Sequence, residues 1–273
     1  MPPDSMPKLM VGSIGFSCLF PSRTEIQAFI DNLPSGGYEC YTDGSKMLSA
    51  GSGVAYRIIG SNDAFSCIQV HLGDLATVFQ AEVLAILRLA QELIWSGVTG
   101  QEIFIFSDSQ AAIFAIASLE KRSHSVQQCT EFLNSLSTLN SVQLVWIPGH
   151  SGYAGNECAD KVAKEASLAS TFGPGPFCPI AYCVLRGQVK RWIFSAHKLY
   201  WANRSDCRQS LLCFGSQVFD KLLLGLDRNS LRQVTQILTG HANLARHMNL
   251  CGYAETPICP GCGHGEETTE HFV

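Results

Sequence analysis

The stretch Tyr38-Glu-Cys-Tyr-Thr-Asp-Gly-Ser45 decides how the first half of the chain is organised. Its apolar start predicts a short strand over 38–43, and Asp-Gly-Ser is a turn signal that ends this strand. Two further strands are predicted over 51–59 and 65–72. Because the three strands follow one another at hairpin spacing, they indicate an antiparallel meander.

Helical and strand patterns alternate after the meander. Apolar residues at helical period predict helices, and short apolar runs predict buried strands. The helices are predicted over 77–96, 110–119, 126–136 and 154–168, and the strands over 103–106 and 142–147. We therefore expect an α/β fold with a five-stranded mixed sheet, three antiparallel strands and then two parallel ones, flanked by helices.

The chain outside this region divides into two parts. Residues 1–35 lack periodicity and contain five prolines, so we expect a leader or linker there. The best linker signal is Gly173-Pro-Gly-Pro176, which ends the predicted main domain, 36–172. Residues 173–273 are expected to form a small, mostly helical region, with helices predicted over 179–203, 218–226 and 230–238.

Composition fits an ordered protein that works inside the cell. The 273 residues are 46% hydrophobic and 15% charged, which argues against bulk disorder. No secretory leader and no membrane-length apolar run is evident, and the 12 cysteines are mostly irregularly spaced. We expect reduced cysteines, no membrane partner and a location in the nucleus or cytoplasm, without secretion.

Charge is distributed unevenly along the chain. Residues 1–172 contain 9 Lys and Arg against 16 Asp and Glu, a net charge of −7. Residues 173–273 contain 10 and 7, a net charge of +3. The acidic part fits a site of metal-binding carboxylates, and the basic part could supply affinity for phosphate.

Three carboxylates are predicted to meet at one edge of the sheet. Asp43 ends the first strand, Asp108 ends the fourth, and Glu82 lies in the second turn of the helix between them. If the two strands are parallel neighbours, their carboxyl ends lie side by side. Converging carboxylates repel one another and raise each other's pKa unless cations intervene. Oxygen-only ligands favour Mg²⁺ or Mn²⁺ over zinc.

Two more residues extend this set. Asp160 lies on the polar side of its helix and could complete the shell of a second metal. His150, between Gly149 and Gly152, could transfer a proton to the leaving oxygen or ease product release. Singly, each residue has an ordinary structural explanation; Asp108, for example, could equally be a helix N-cap. Jointly, the ordered set suits two metal ions that cut a phosphodiester with water.

The joint pattern resembles the type 1 ribonuclease H family over about 38–169. The matching residues are Asp43-Gly-Ser45, Ala81-Glu82, Asp108-Ser-Gln110, Val145-Trp-Ile-Pro-Gly-His-Ser-Gly152 and Asn156-Glu-Cys-Ala-Asp160. The resemblance implies a ribonuclease H-like fold. It also implies that Asp43, Glu82, Asp108 and Asp160 bind two Mg²⁺ ions, with Mn²⁺ able to substitute, and that His150 assists. The implied reaction is hydrolysis of the RNA strand of an RNA–DNA hybrid, leaving 5′-phosphate and 3′-hydroxyl ends.

Substrate contacts are also implied by the resemblance. Gly44, Ser45 and Gln110 match positions that touch the RNA strand, and Thr77 matches a position that grips a DNA phosphate. The neighbouring position, often Asn in the family, is Val78 here. The basic insertion that some members carry after the Asp-Ser-Gln helix is missing, because only Lys121 and Arg122 stand there.

The rear part contains Leu238-Thr-Gly-His241, Cys259-Pro-Gly-Cys262 and Thr269-Glu-His271. With these motifs it resembles the tail of non-LTR (LINE-type) retrotransposon polyproteins, in which this domain follows a reverse transcriptase. Cys259, Cys262 and His271 have zinc-knuckle spacing, and Val273 is the last residue. These three residues either bind zinc or are an inert end of the chain with free thiols. If they bind zinc, His264 or Cys251 could be the fourth ligand. The resemblance implies an upstream reverse transcriptase as partner and a role in removing template RNA.

Other hypotheses remain open on the sequence alone. The predicted helix over 179–203 interleaves basic and aromatic residues, which fits either a nucleic-acid contact or an ordinary solvated surface. The main domain could be a catalytically inactive nucleic-acid-binding or interaction module. A DDE integrase or transposase shares the fold architecture, but its glutamate normally follows the second aspartate, whereas Glu82 precedes Asp108.

Overall fold

The structure, a computed structural model, describes residues 2–47, 49–59, 65–169, 178–203 and 223–272. Two compact units divide the chain at Gln188 and Val189. The predicted linker at 173–176 lies outside the described residues, and so does most of the helix predicted over 218–226.

The first unit consists of a main sheet, a second small sheet and the helices around them. The strands of its main sheet are β2 (Ser17–Leu19), β3 (Tyr38–Lys46), β4 (Ala50–Ile58), β5 (Ser66–Gly73), β6 (Glu102–Ser107) and β8 (Ser141–Trp146). A second, two-stranded sheet pairs β1 (Ser5–Met10) with β7 (Glu120–Ser123). The helices are α1 (Ile26–Asp31), α2 (Val78–Trp95), α3 (Gln110–Ala117), α4 (His124–Ser137) and α5 (Ala154–Leu168).

The main sheet confirms the predicted architecture and adds one strand. Its order is β2-β8-β6-β3-β4-β5, with β3, β4 and β5 antiparallel and β6 and β8 parallel to β3. The sixth strand, β2, pairs in parallel with β8 through Ser17 to Leu19. Residues 1–35, expected to form a leader or linker, thus contain β1, β2 and α1. Three residues are too short to show a period, and β2 depends on its pairing with β8.

Strand alternation places apolar residues on both faces of the sheet, as in a helix-covered α/β fold. Cys40, Ile105 and Leu144 face the core formed with α2, α3 and α4. Tyr41, Phe106 and the neighbouring buried residues form a second cluster with α1 and α5. The helices on both faces leave the carboxyl end of β3 and β6 as the place where polar side chains collect.

The remaining helices are α6 (Tyr182–Ala202), which spans the division between the units, and α7 (Arg228–Thr239), α8 (Ala245–Leu250) and α9 (Thr269–Phe272) in the second unit. Asp227 caps the start of α7 and accepts hydrogen bonds from the amides of Asn229 and Ser230, and Gly240 caps its end in the left-handed conformation. The predicted helical C-terminal region is confirmed. Among the described residues, no helix is long and apolar enough to cross a bilayer.

Candidate active site

Pairing between β3 and β6 brings the two strand-end aspartates together. The last paired residues are Thr42 and Ser107, so Asp43 and Asp108 both follow directly at the same edge. The Trp146 indole donates a hydrogen bond to the Asp108 carbonyl (3.2 Å), which holds that backbone against β8. Ser109 then caps α3 through the amide of Ala112. The aspartate is thus free of the capping role considered for it.

Glu82 reaches the same point from α2. Thr77 and Gln80 form a capping box that starts α2. The helix lies so close to β3 that a Cβ on Gly44 would overlap the backbone of Ala81 and Glu82. Only glycine permits this approach, so the Asp-Gly-Ser sequence does more than mark a turn.

The three carboxylates form one group, in which Asp43 and Glu82 are buried and Asp108 is half-buried. Asp43, Glu82 and Asp108 each offer an oxygen within 4.8 Å of the others. Asp43 is 7% exposed and Glu82 is 6% exposed. The Glu82 Oε2 atom is buried and has no hydrogen-bond partner. A buried carboxylate oxygen without a donor is costly, and a bound cation would satisfy it.

Burial and mutual repulsion shift the proton affinity of this group. Burial, and then the charges of Asp108 and Asp160, raise the pKa of Asp43 to about 7. Burial, and then the charges of Asp43 and Asp108, raise the pKa of Glu82 to about 9. The pKa of Asp108 is also raised, chiefly by burial. Two hard divalent cations would offset this repulsion, so the residues fit Mg²⁺ or Mn²⁺.

Asp160 and His150 stand at the margin of the group. Asp160 is on α5, forms an ion pair with Lys164, and lies outside the set of three within 4.8 Å. Its charge nonetheless contributes to the raised pKa of all three carboxyls. His150 is exposed in the loop after β8, with a left-handed φ of 52°. Its charge lowers the pKa of Asp108.

Asn156 is a site residue whose function the sequence analysis did not identify. Its side chain lowers the pKa of the Asp108 carboxyl, and it is 4% exposed. Its Oδ1 atom is buried without a hydrogen-bond partner. The residue stands in the quoted Asn156-to-Asp160 motif, so spacing drew attention to it, but only the packing of α5 shows which carboxylate it contacts.

The predicted nucleic-acid contacts are spread around this edge. Gly44 is buried in β3, Ser45 is half-buried beside it, and Gln110 is exposed at the start of α3. The Thr77 hydroxyl is engaged in the capping box, where it accepts a hydrogen bond from the Gln80 amide (3.2 Å). These roles remain predictions.

A second metal-ligand group lies in the C-terminal unit. Cys259, Cys262 and His271 offer ligand atoms within 4.8 Å of one another. The backbone amides of His264 and Gly265, and then Cys259 and His271, lower the pKa of Cys262 to about 7. Neither candidate for a fourth ligand, His264 or Cys251, belongs to this group.

Comparison with known proteins finds a family model that matches part of the chain. The RNase H family model matches residues 36–168, the segment that holds all five residues of the candidate site. Among solved structures, the chain is similar to RNase H1 from the halophilic archaeon Halobacterium salinarum NRC-1. The identity is 22% and the TM-score 0.39, over 48% of this chain and 97% of the archaeal one.

Proposed function

We propose that residues 36–168, an RNase H domain by the family match, hydrolyse the RNA strand of RNA–DNA hybrids. The observation that carries the proposal is the convergence of buried Asp43, buried Glu82 and half-buried Asp108 at one edge of the sheet, with an unpaired Glu82 oxygen. Converging carboxylate oxygens of this kind suit a divalent metal ion.

Asp43, Glu82, Asp108 and Asp160 would hold two Mg²⁺ ions, with Mn²⁺ able to substitute. When bound, the ions would neutralise the phosphate and lower the pKa of an attacking water. Asn156, which lowers the pKa of Asp108, would help to keep that carboxylate ionised for metal binding. Exposed His150 would transfer a proton to the leaving 3′ oxygen or assist product release. Products would carry 5′-phosphate and 3′-hydroxyl ends.

The biological setting that we propose rests on sequence motifs alone. Resemblance of the tail to LINE-type polyproteins supports a role in reverse transcription beside an upstream reverse transcriptase, in the nucleus or cytoplasm. We also propose that Cys259, Cys262 and His271 bind Zn²⁺, because sulfur and imidazole ligands with a lowered thiol pKa favour that ion.

The first experiment compares cleavage of labelled RNA–DNA hybrid, double-stranded RNA and double-stranded DNA in Mg²⁺ or EDTA. We expect cleavage of the RNA strand of the hybrid only, and only with Mg²⁺. Asp43→Asn should reduce the rate by at least about a hundredfold, because it removes a metal ligand. Asp31→Asn, which changes an exposed aspartate in α1, is the matched control and should retain full activity.

Two results would contradict the proposal. If the folded protein binds hybrid but does not cut it, the domain is an inactive binding module. If it joins or nicks duplex DNA instead, the integrase or transposase alternative is favoured.

A further inference from the structure

The RNase H domain has a net negative charge, which disfavours binding to nucleic acid. Residues 36–168 contain 7 Lys and Arg against 13 Asp and Glu. A hybrid carries a negative charge at every phosphate, and affinity for it comes chiefly from cations that replace its counterions. The domain's own net charge therefore opposes the substrate proposed for it.

Most of the domain's Lys and Arg side chains already form ion pairs or hydrogen bonds within the domain. Arg57, Arg122 and Lys164 form ion pairs with acidic residues of the same domain. Lys46 donates hydrogen bonds to the carbonyls of Asp74 and Ala76.

Lys121, one of the two basic residues that follow α3, is 0% exposed and donates to the carbonyl of Ile116 at the end of that helix (2.6 Å). It cannot reach a phosphate, and its neighbour Arg122 is paired with Glu120.

Helix α6 has the opposite character. Its 21 residues include Arg186, Lys190, Arg191 and Lys198 but no Asp or Glu. All four cations are exposed, and none forms an ion pair with a described residue. No other described helix of this length combines so many cations with no acidic side chain.

Helical geometry gathers these cations on one side. Arg186 and Lys190 are four residues apart and Arg191 and Lys198 are seven apart, so each pair shares a face, and the two faces adjoin. The span from Arg186 to Lys198 is about 18 Å at helical rise, close to the axial length of about five base pairs.

We propose that the basic face of α6, defined by Arg186, Lys190, Arg191 and Lys198, binds the phosphate backbone of the RNA–DNA hybrid. This inference rests on the proposed function and names the surface that supplies its substrate affinity. Charge complementarity supports this occupant, because the helix offers unpaired cations to a polyanion that the domain itself repels. Binding through phosphates is independent of base sequence.

The test measures binding of labelled hybrid to the full chain with Asp43→Asn, which removes cleavage, between 50 and 200 mM salt. Arg186→Ala with Lys190→Ala should weaken binding at least about tenfold at 0.1 M salt and lower the salt slope by about 2. The matched control is Arg228→Ala with Arg232→Ala, an exposed pair at the same spacing in α7, which should stay within about twofold.

Several outcomes would overturn the proposal. Equal losses in both double variants would mean that overall charge, rather than α6, sets the affinity. No loss in the α6 variant would exclude the helix as the binding surface. If vesicles containing phosphatidylserine bind through Arg186 and Lys190 while hybrid does not, the helix is a membrane-binding element.

Cleavage and binding separate the two proposals. Binding that depends on α6 in a chain that never cuts hybrid would support the surface and reject the nuclease. Cleavage by a chain whose hybrid affinity does not depend on α6 would support the nuclease and reject the surface.

Discussion

At the scale of single residues, Glu82 is the group whose ionisation opposes folding most clearly. Its pKa is raised to about 9 by burial and by Asp43 and Asp108, whereas an unfolded glutamate titrates near 4.3. The folded state therefore holds a proton that the unfolded state releases. Without metal, this contribution lowers stability progressively as pH rises from about 4 towards about 9.

We predict that Glu82→Gln stabilises the metal-free protein at pH 8 by at least about 1 kcal/mol, or about 2–4 °C in Tm. At pH 4 the variant and the parent should differ little, because Glu82 is then mostly protonated in both states. Adding Mg²⁺ should raise the Tm of the parent more than that of the variant. Thermal unfolding across pH, in EDTA and in Mg²⁺, measures all three effects.

The control for this prediction is Glu157→Gln, which changes an exposed glutamate on α5. An equal gain from this control, or a parent that becomes more stable relative to Glu82→Gln between pH 5 and pH 8 in EDTA, would contradict the argument.

Residue patterns located the carboxylates well and their surroundings poorly. Asp43, Glu82 and Asp108 lie together because their positions follow from strand ends and a helix turn. The influence of Asn156 on Asp108 depends on where α5 packs. The burial of Lys121 depends on where α3 ends. Such long-range contacts leave no local period in the sequence.

At the scale of elements, the site depends on how closely α5 packs against the sheet. Gly53 in β4 pairs with Asp43 in β3 and faces α5. A Cβ at Gly53 would overlap the backbone of Ala159 and Ala163, on the helix that carries Asp160.

We predict that Gly53→Ala displaces α5, destabilises the protein by about 1–3 kcal/mol and lowers hybrid cleavage at saturating Mg²⁺. Chemical denaturation and the cleavage rate measure the two effects. Gly187→Ala in α6 is the control, because nothing lies within 4 Å of its added Cβ, and it should leave stability unchanged or slightly higher. Equal stability of Gly53→Ala and the parent would show that the contact is not constraining.

Element prediction succeeded where periodicity was strong. Helix α5 runs over Ala154–Leu168, as the pattern indicated, and α2 differs by one residue at each end. Strands β1, β2 and β7 and helix α1 were not predicted, because the segments that form them show no clear apolar period. The charged β7, Glu120–Ser123, exists as a strand because it pairs with β1, and nothing in its own composition indicates a strand.

At the scale of the whole molecule, the C-terminal unit has a metal-ligand group of its own. We predict about one Zn²⁺ per chain in protein purified without chelator, lost in Cys262→Ser. Cys251→Ser is the control, since Cys251 lies outside the group. Metal analysis of the purified variants provides the measurement. Full zinc in Cys262→Ser would reject the site, and loss in Cys251→Ser would make that residue the fourth ligand.

The N-terminal segment determines whether a shorter fragment of the protein would fold properly. Asp4 is buried and accepts hydrogen bonds from Gln80 at the start of α2 and from Ser123 and Ser125 at the start of α4. Strand β2 covers β8, which would otherwise be the last strand of the sheet. A fragment that begins at residue 36, where the family match starts, would leave the backbone of β8 open to pairing with another copy, and self-association would then compete with folding.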